Sequence, residues 1–249
     1  VHGPEFTIEQ ATALMDKHGV QGAVLVPPGW NGWDNQYSQD AAIKEPKRFA
    51  VMGRFDFEAP DAKERLRTWR QQPGMAGIRF FISGTPWVSL LAPEYSWVWE
   101  ISEETRLPLM ATIPGNIAGF DSILTKYPDL RLTIDHGGRH PRGNLDEGAW
   151  TDEADMHALS RFKNVAVKVS SLPCFSTEKY PFKNLHSHIK SIYDKFGPQR
   201  MMWGSDVTRL TCTYEENLNL FLEALDFLGT EDKELIMGRS LANALDWEI

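Results

Sequence analysis

The sequence predicts an α/β fold, a (β/α)8 barrel (TIM barrel) of parallel strands wrapped by helices, and three observations predict it. Short apolar runs alternate with helical stretches along all 249 residues. No repeat, low-complexity segment or long linker divides the chain, so residues 1–249 read as one domain. Polar or ionisable residues stand where the apolar runs end. Regular strand–helix alternation means parallel strands joined by right-handed crossovers. An open doubly wound sheet would also satisfy it, but its dinucleotide-binding form carries Gly-x-Gly-x-x-Gly after the first strand, and that motif is absent.

The elements follow in order. Thr7 and Gln10 have capping-box spacing, Ile8, Ala11, Leu14 and Met15 share one helical face, and Gly19 is placed to stop the helix. Gly22 to Val26 is a short apolar run ended by Pro27-Pro28-Gly29, which suits a strand buried on both faces. A helix over 38–46 leads to a strand from Arg48 to Phe55, and a polar helix from Asp61 to Gln71 to a strand from Met75 to Phe81. A helix over 93–106 precedes a strand from Leu107 to Thr112, and a helix from Ala118 to Tyr127 precedes one from Leu130 to Asp135. Helical character from Asp152 to Arg161 is followed by the strand Val165 to Ser170, and a helix over 184–196 by the strand Arg200 to Gly204. Two helices, near 214–228 and 231–246, close the chain. That makes seven strands, each followed by a helix. Because the sequence opens on a helix, the first barrel strand is expected before Val1, and the visible strands are the second to the eighth.

With 42% apolar and 11% aromatic residues the chain can bury a large core. A net charge of −8 argues against nucleic acid or an anionic membrane as the main partner. Cys174 and Cys212 have no metal-like spacing, no apolar run reaches the length of a membrane span, and the first residues show no signal pattern. The expectation is a soluble cytoplasmic protein that acts on a small molecule, with homo-oligomerisation left open.

A barrel of this kind builds its active site from the C-terminal ends of the strands and the loops after them. His136, at the end of Ile134-Asp135-His136-Gly137-Gly138, can ligate a metal, polarise a carbonyl or hydrogen-bond at the rim. Asp206, after Met202-Trp203-Gly204-Ser205, can bind a metal, take a proton from water or simply cap the next helix. Arg79 ends an apolar strand, where its fork fits a substrate carboxylate or an internal acid such as Asp56 or Asp206. In Val165 to Ser170 the three valines share one face, so Lys168 and Ser170 share the other, toward the interior. Lys168 there is either a Schiff-base or electrostatic residue or the partner of a carboxylate. Trp30, Trp33 and Trp87 lie in loops that would wall the mouth or pack as a lid. Arg139, His140 and Arg142 would add positive charge for an acidic substrate or be solvated, and the other histidines, including His186-x-His188, read as structural.

These residues carry a wider pattern. Gly19 to Val26, Ala76 to Phe80, Tyr127 to Leu130, Ile134 to Gly138, Val167 to Ser170, Arg200 to Asp206 and Gly238 to Leu245 follow in order along nearly the whole chain. In them the chain resembles the amidohydrolase-related family (amidohydrolase 2) of metal-dependent hydrolases, in the branch of the pyrone-dicarboxylate and sugar lactonases. The resemblance implies a (β/α)8 barrel with His136 and Asp206 in the active site. Asp206 would be the proton-transfer group; zinc, manganese or no metal at all are open, with His136 and Asp206 as the ligands where a divalent metal is bound. Two departures bear on the metal. The His-x-His of the family's first strand is not in this sequence, and Leu107 to Thr112 ends without a histidine, as in the lactonase branch, where metal dependence varies. The expected activity is hydrolysis of a small carboxylated lactone or ester, with Arg79, Trp30, Trp33, Arg139 and His140 binding substrate. The alternatives are a non-oxidative decarboxylase of an aromatic or dienoic acid and a catalytically inactive ligand-binding barrel.

Overall fold

The computed structural model describes residues 6–82, 90–139 and 143–248. Seven strands, β1 (Ala23–Leu25), β2 (Phe49–Gly53), β3 (Met75–Phe81), β4 (Leu109–Thr112), β5 (Leu132–Ile134), β6 (Val165–Ser170) and β7 (Met201–Gly204), form one sheet in sequential order. Every neighbouring pair is parallel. Helices α1 (Ile8–Lys17), α2 (Gln36–Lys44), α3 (Ala62–Arg67), α4 (Ser96–Glu104), α5 (Phe120–Lys126), α6 (Glu153–Ala158), α7 (Lys183–Phe196) and α8 (Tyr214–Asn219) follow the expected alternation, with α9 (Thr230–Glu234) and α10 (Ser240–Leu245) closing the chain. The capping box at Thr7 and Gln10 is formed, and a second stands at Thr213 and Glu216.

Alternation along the strands sorts side chains into two layers. Val165, Val167 and Val169 of β6, Phe49 and Val51 of β2 and Leu109 and Ala111 of β4 pack outward with the helices in the main core. Ala50 and Met52, Ala76 and Met110 form a second, smaller cluster with Leu241, Leu245 and Trp247. That places α10 under the N-terminal end of the strands. Trp247 Nε1 donates to the Pro46 carbonyl ahead of β2 at 2.9 Å, and Arg131, just before β5, pairs with Asp246 at 2.7 Å. With this end plugged by α10, chemistry belongs at the other.

The sheet is curled, and side chains from strands two apart meet on its inner face. Arg79 of β3 meets Asp135 after β5 at 3.0 Å, and His136 after β5 lies 3.7 Å from Asp206 after β7. This is the barrel-type α/β fold, in which inward-pointing groups from separate strands converge.

Gly77 of β3 packs against the residue that leads into β4 and against Met52 of β2. A Cβ there would stand 2.2 Å from the Pro108 carbonyl oxygen and 2.7 Å from Met52 Cε. That oxygen already accepts the Ile78 N–H at 3.1 Å, so it cannot retreat without opening the sheet. Gly77→Ala is expected to destabilise the fold by about 2–3 kcal/mol, as overpacking does. An unchanged midpoint in urea denaturation would contradict this packing.

Candidate active site

Three adjacent strand ends are turned inward by the same backbone device. His136 after β5, Ser171 after β6 and Asp206 after β7 all adopt left-handed conformations, with φ of 55°, 48° and 48°. Non-glycine residues rarely do so, although His and Asp tolerate it better than most. Gly137 and Gly138 continue the left-handed run at φ 61° and 80°, which explains the two glycines after the histidine. Such local strain clusters at functional sites. The outcome is that His136 Nε2 and Asp206 Oδ2 face each other at 3.7 Å.

The His136 ring is buried, and its Nδ1 lies 2.8 Å from the Ser170 hydroxyl. Burial pushes its pKa down to about 4, against the pull of the Asp135 and Asp206 carboxylates, with Lys168 adding to the depression. The imidazole is therefore neutral at pH 7. When the Ser170 O–H donates to Nδ1, the ring proton is on Nε2, the nitrogen that faces Asp206 and the mouth; the longer 3.4 Å approach of Nδ1 to the Ser170 carbonyl is the contact of the other tautomer. Unfolded, this histidine protonates near 6.5; folded, it resists until about 4. Its contribution to stability is therefore complete above about pH 6.5 and is lost as the pH falls toward 4, on the order of 3 kcal/mol in all. An NMR titration is expected to show the His136 ring neutral at pH 5.5; a midpoint near 6.5 would refute the assignment.

Beneath this pair lies a buried charge network. Asp135 is 1% exposed and receives Arg79 Nε at 3.0 Å, Lys168 Nζ at 2.9 Å and the Thr112 hydroxyl at 3.1 Å. Burial alone would raise its pKa, but Lys168 and then Arg79 outweigh burial and hold the carboxyl well below the usual range. The internal partner of Arg79 is thus Asp135, not Asp56 or Asp206, because the curl brings the end of β5 across to β3. Lys168 takes the carboxylate-partner role. Ser170, on the same face as Lys168, serves the His136 ring.

Alongside the network opens a cavity of about 380 Å³ lined by Gly29, Trp33, Arg54, Phe55, Arg79, Phe80 and Phe81. Arg79 and Trp33 stand where the sequence places them. Arg54 is an addition, although strand alternation points to it, since Ala50, Met52 and Arg54 share a face. Trp30 is 68% exposed and lies outside the cavity lining.

Arg139 corrects an expectation. Its side chain is buried, donating through Nε to the Gly137 carbonyl at 3.0 Å and through the guanidinium to the Ala149 carbonyl, pairing with Asp152 at 2.5 Å and stacking on Trp150 at 5.0 Å. The left-handed run before it turns the chain inward, so Arg139 fastens the His136 turn from behind instead of reaching a substrate. His140, Arg142 and Trp87 lie outside the described residues. His186 and His188 are structural, the first on the Pro181 carbonyl at 2.8 Å and the second stacked on Trp150 at 4.3 Å.

A zinc ion retained by a protein takes three or more protein ligands. His136 and Asp206 supply two, and among the described residues no group of three His, Cys, Asp or Glu side chains is placed to hold one. Arg209 also donates to Asp206 Oδ2 at 2.8 Å, which competes for the same oxygen. These residues do not complete a metal site by themselves. No helix among the described residues is long and apolar enough to cross a membrane.

Known proteins resemble this chain over most of its length. The amidohydrolase family profile matches residues 3–240. An L-fucono-1,5-lactonase of Burkholderia ambifaria is 28% identical over 223 residues, covering 83% of this chain and 72% of that protein. A 4-sulfomuconolactone hydrolase of Hydrogenophaga intermedia is 26% identical over 211 residues, covering 82% and 65%. Among solved structures, an amidohydrolase of Burkholderia multivorans with bound zinc superposes with a TM-score of 0.84 at 18% identity, over 98% of this chain and 89% of that one. A profile spanning nearly the whole chain, together with the Asp-His-Gly and Trp-Gly-Ser-Asp strand ends, shows that this chain belongs to the amidohydrolase family, as a lactonase-like enzyme.

Proposed function

We propose that the enzyme hydrolyses a small carboxylated lactone or ester, with Asp206 as the general base and His136 as the group that polarises the carbonyl. The observation that carries this reading is the 3.7 Å approach of a carboxylate 30% exposed to a neutral, buried imidazole. Asp206 is reachable by water, and Arg209 holds the carboxylate in place. Water gives a proton to Asp206 as its oxygen adds to the carbonyl carbon. The Nε2–H of His136 donates to the developing oxyanion, which a neutral imidazole fixed through Nδ1 can do. When the tetrahedral adduct collapses, the ring C–O bond breaks and the departing alkoxide takes the proton from Asp206, leaving a hydroxy acid. Arg79 orients the substrate carboxylate from the cavity wall. Relatives named for lactone hydrolysis support the reaction class.

Zinc or manganese at His136 and Asp206 would need a further donor, and elemental analysis of the purified enzyme reads its presence. The activity test is proton release from a panel of five- and six-membered lactones, with and without a carboxylate. Ring opening of at least one carboxylated lactone is expected. Release of carbon dioxide from aromatic or dienoic acids, with no lactone opened, would replace this reading with decarboxylation.

A further inference from the structure

Arg54 has no part in the proton transfers just described, yet it is a half-buried cation on the wall of the cavity. Its backbone and side chain are held in place. Asn35 accepts the Arg54 N–H at 2.7 Å and donates to the Arg54 carbonyl at 3.0 Å, while also donating to the Trp33 carbonyl at 3.1 Å. Arg54 Nε donates to the Gly32 carbonyl at 2.6 Å, and its guanidinium lies 5.1 Å from the centre of the Trp33 ring. One side of the fork is therefore tied to the loop after β1, which leaves the terminal nitrogens for the cavity.

What this cation lacks is a counter-ion. Among the described residues no carboxylate lies within 4.0 Å of Arg54, whereas Arg79 opposite it shares Asp135 with Lys168. Arg54 and Arg79 both line the cavity, and the one anion paired with Arg79, Asp135, also serves Lys168, so these four groups together carry an excess of two positive charges. Burial lowers the pKa of Arg54, and repulsion from Arg79 lowers it further. Keeping two guanidinium groups close together in a part-buried pocket is costly unless an anion joins them. The remaining walls are aromatic, Trp33, Phe55 and Phe81, which suits a flat ring.

We propose that Arg54 and Arg79 together receive the anionic group of a planar substrate, and that Arg54 is the residue that makes the enzyme prefer anionic over neutral substrates. This rests on the lactone reading above and adds to it the recognition of the substrate. A carboxylate meets the two forks with parallel hydrogen bonds, and a sulfonate offers the same charge in a tetrahedral shape.

The test uses ligands that cannot be turned over, so it stands apart from the reaction. Benzoate, benzenesulfonate and neutral benzamide are titrated into the full chain by calorimetry, with tryptophan fluorescence as a second signal. Benzoate is expected to bind at least about tenfold more tightly than benzamide, and less tightly as ionic strength rises. Arg54→Met is expected to weaken benzoate at least about tenfold, and Arg54→Lys to fall between, because it keeps the charge and loses the fork. Benzenesulfonate stronger than benzoate would assign the anionic group to a sulfonate, and binding of both well above benzamide supports the proposal. Equal affinity for benzoate and benzamide, or unchanged benzoate binding in a folded Arg54→Met, would overturn the proposal. Should Arg54→Met fail to fold, the wild-type benzoate-to-benzamide ratio and its salt dependence decide alone. Failure of every lactone to react, with benzoate still bound as expected, would count against the reaction and not against this pocket.

Discussion

Asp206→Asn is expected to lower kcat and kcat/KM together by roughly 10²–10⁴-fold, the usual loss when a positioned general base is removed. The amide matches the carboxylate in shape and can still accept from Arg209, so substrate binding changes little and the loss falls on the chemical step. The side chain is 30% exposed and its pairing with Arg209 is part-exposed, so stability should change by less than about 1 kcal/mol. A folded Asp206→Asn enzyme with kcat within threefold of wild type would remove the proposed mechanism. A fall in kcat/KM that came entirely from KM would assign Asp206 to binding.

Asp135→Ala is expected to have the largest effect on stability, about 3–5 kcal/mol, because it strips the shared anion from Arg79 and Lys168. Both cations are mostly buried, at 16% and 14% side-chain exposure, so water cannot replace the lost carboxylate fully. The urea midpoint should fall by an amount a single surface pair never produces. Removing one cation as well, in Asp135→Ala with Lys168→Met, should recover part of the loss, since the double change leaves less charge unpaired. The acid behaviour has its origin in the same contacts. With its pKa held far below the ordinary range, Asp135 contributes fully above the ordinary carboxylate pKa of 3.8, and that contribution is lost progressively as the pH falls below it, since the unfolded chain then takes up the proton first. A loss under 1 kcal/mol in Asp135→Ala would mean that the network is solvated and that its charges do not depend on one another as described.

Much of the site is legible in the linear chain. Val165 to Ser170 declares its two faces through the spacing of three valines, and the structure keeps Lys168 and Ser170 on the inner one. Ile134-Asp135-His136-Gly137-Gly138 and Trp203-Gly204-Ser205-Asp206 announce strand ends, and both turn into one mouth. The two C-terminal helices read as continuous runs; each contains a π-helical turn, at Leu220–Ala224 and Leu235–Arg239, which the apolar spacing does not reveal. Arg139 reads as a surface cation after a glycine pair, but three consecutive left-handed residues reverse the chain and bury it.

Order of elements, inward and outward faces, and the identity of residues at strand ends are local properties, set by periods of about two and 3.6 residues and by turn chemistry. The linear chain carries all of them. Which charge meets which is not local. Arg79 finds Asp135, Arg54 meets no carboxylate among the described residues, and His136 holds a proton less tightly because the sheet curls and carries groups more than 50 residues apart into one dry interior. Curvature and burial are properties of the assembled sheet, and they turn a set of plausible residues into a site with a defined charge.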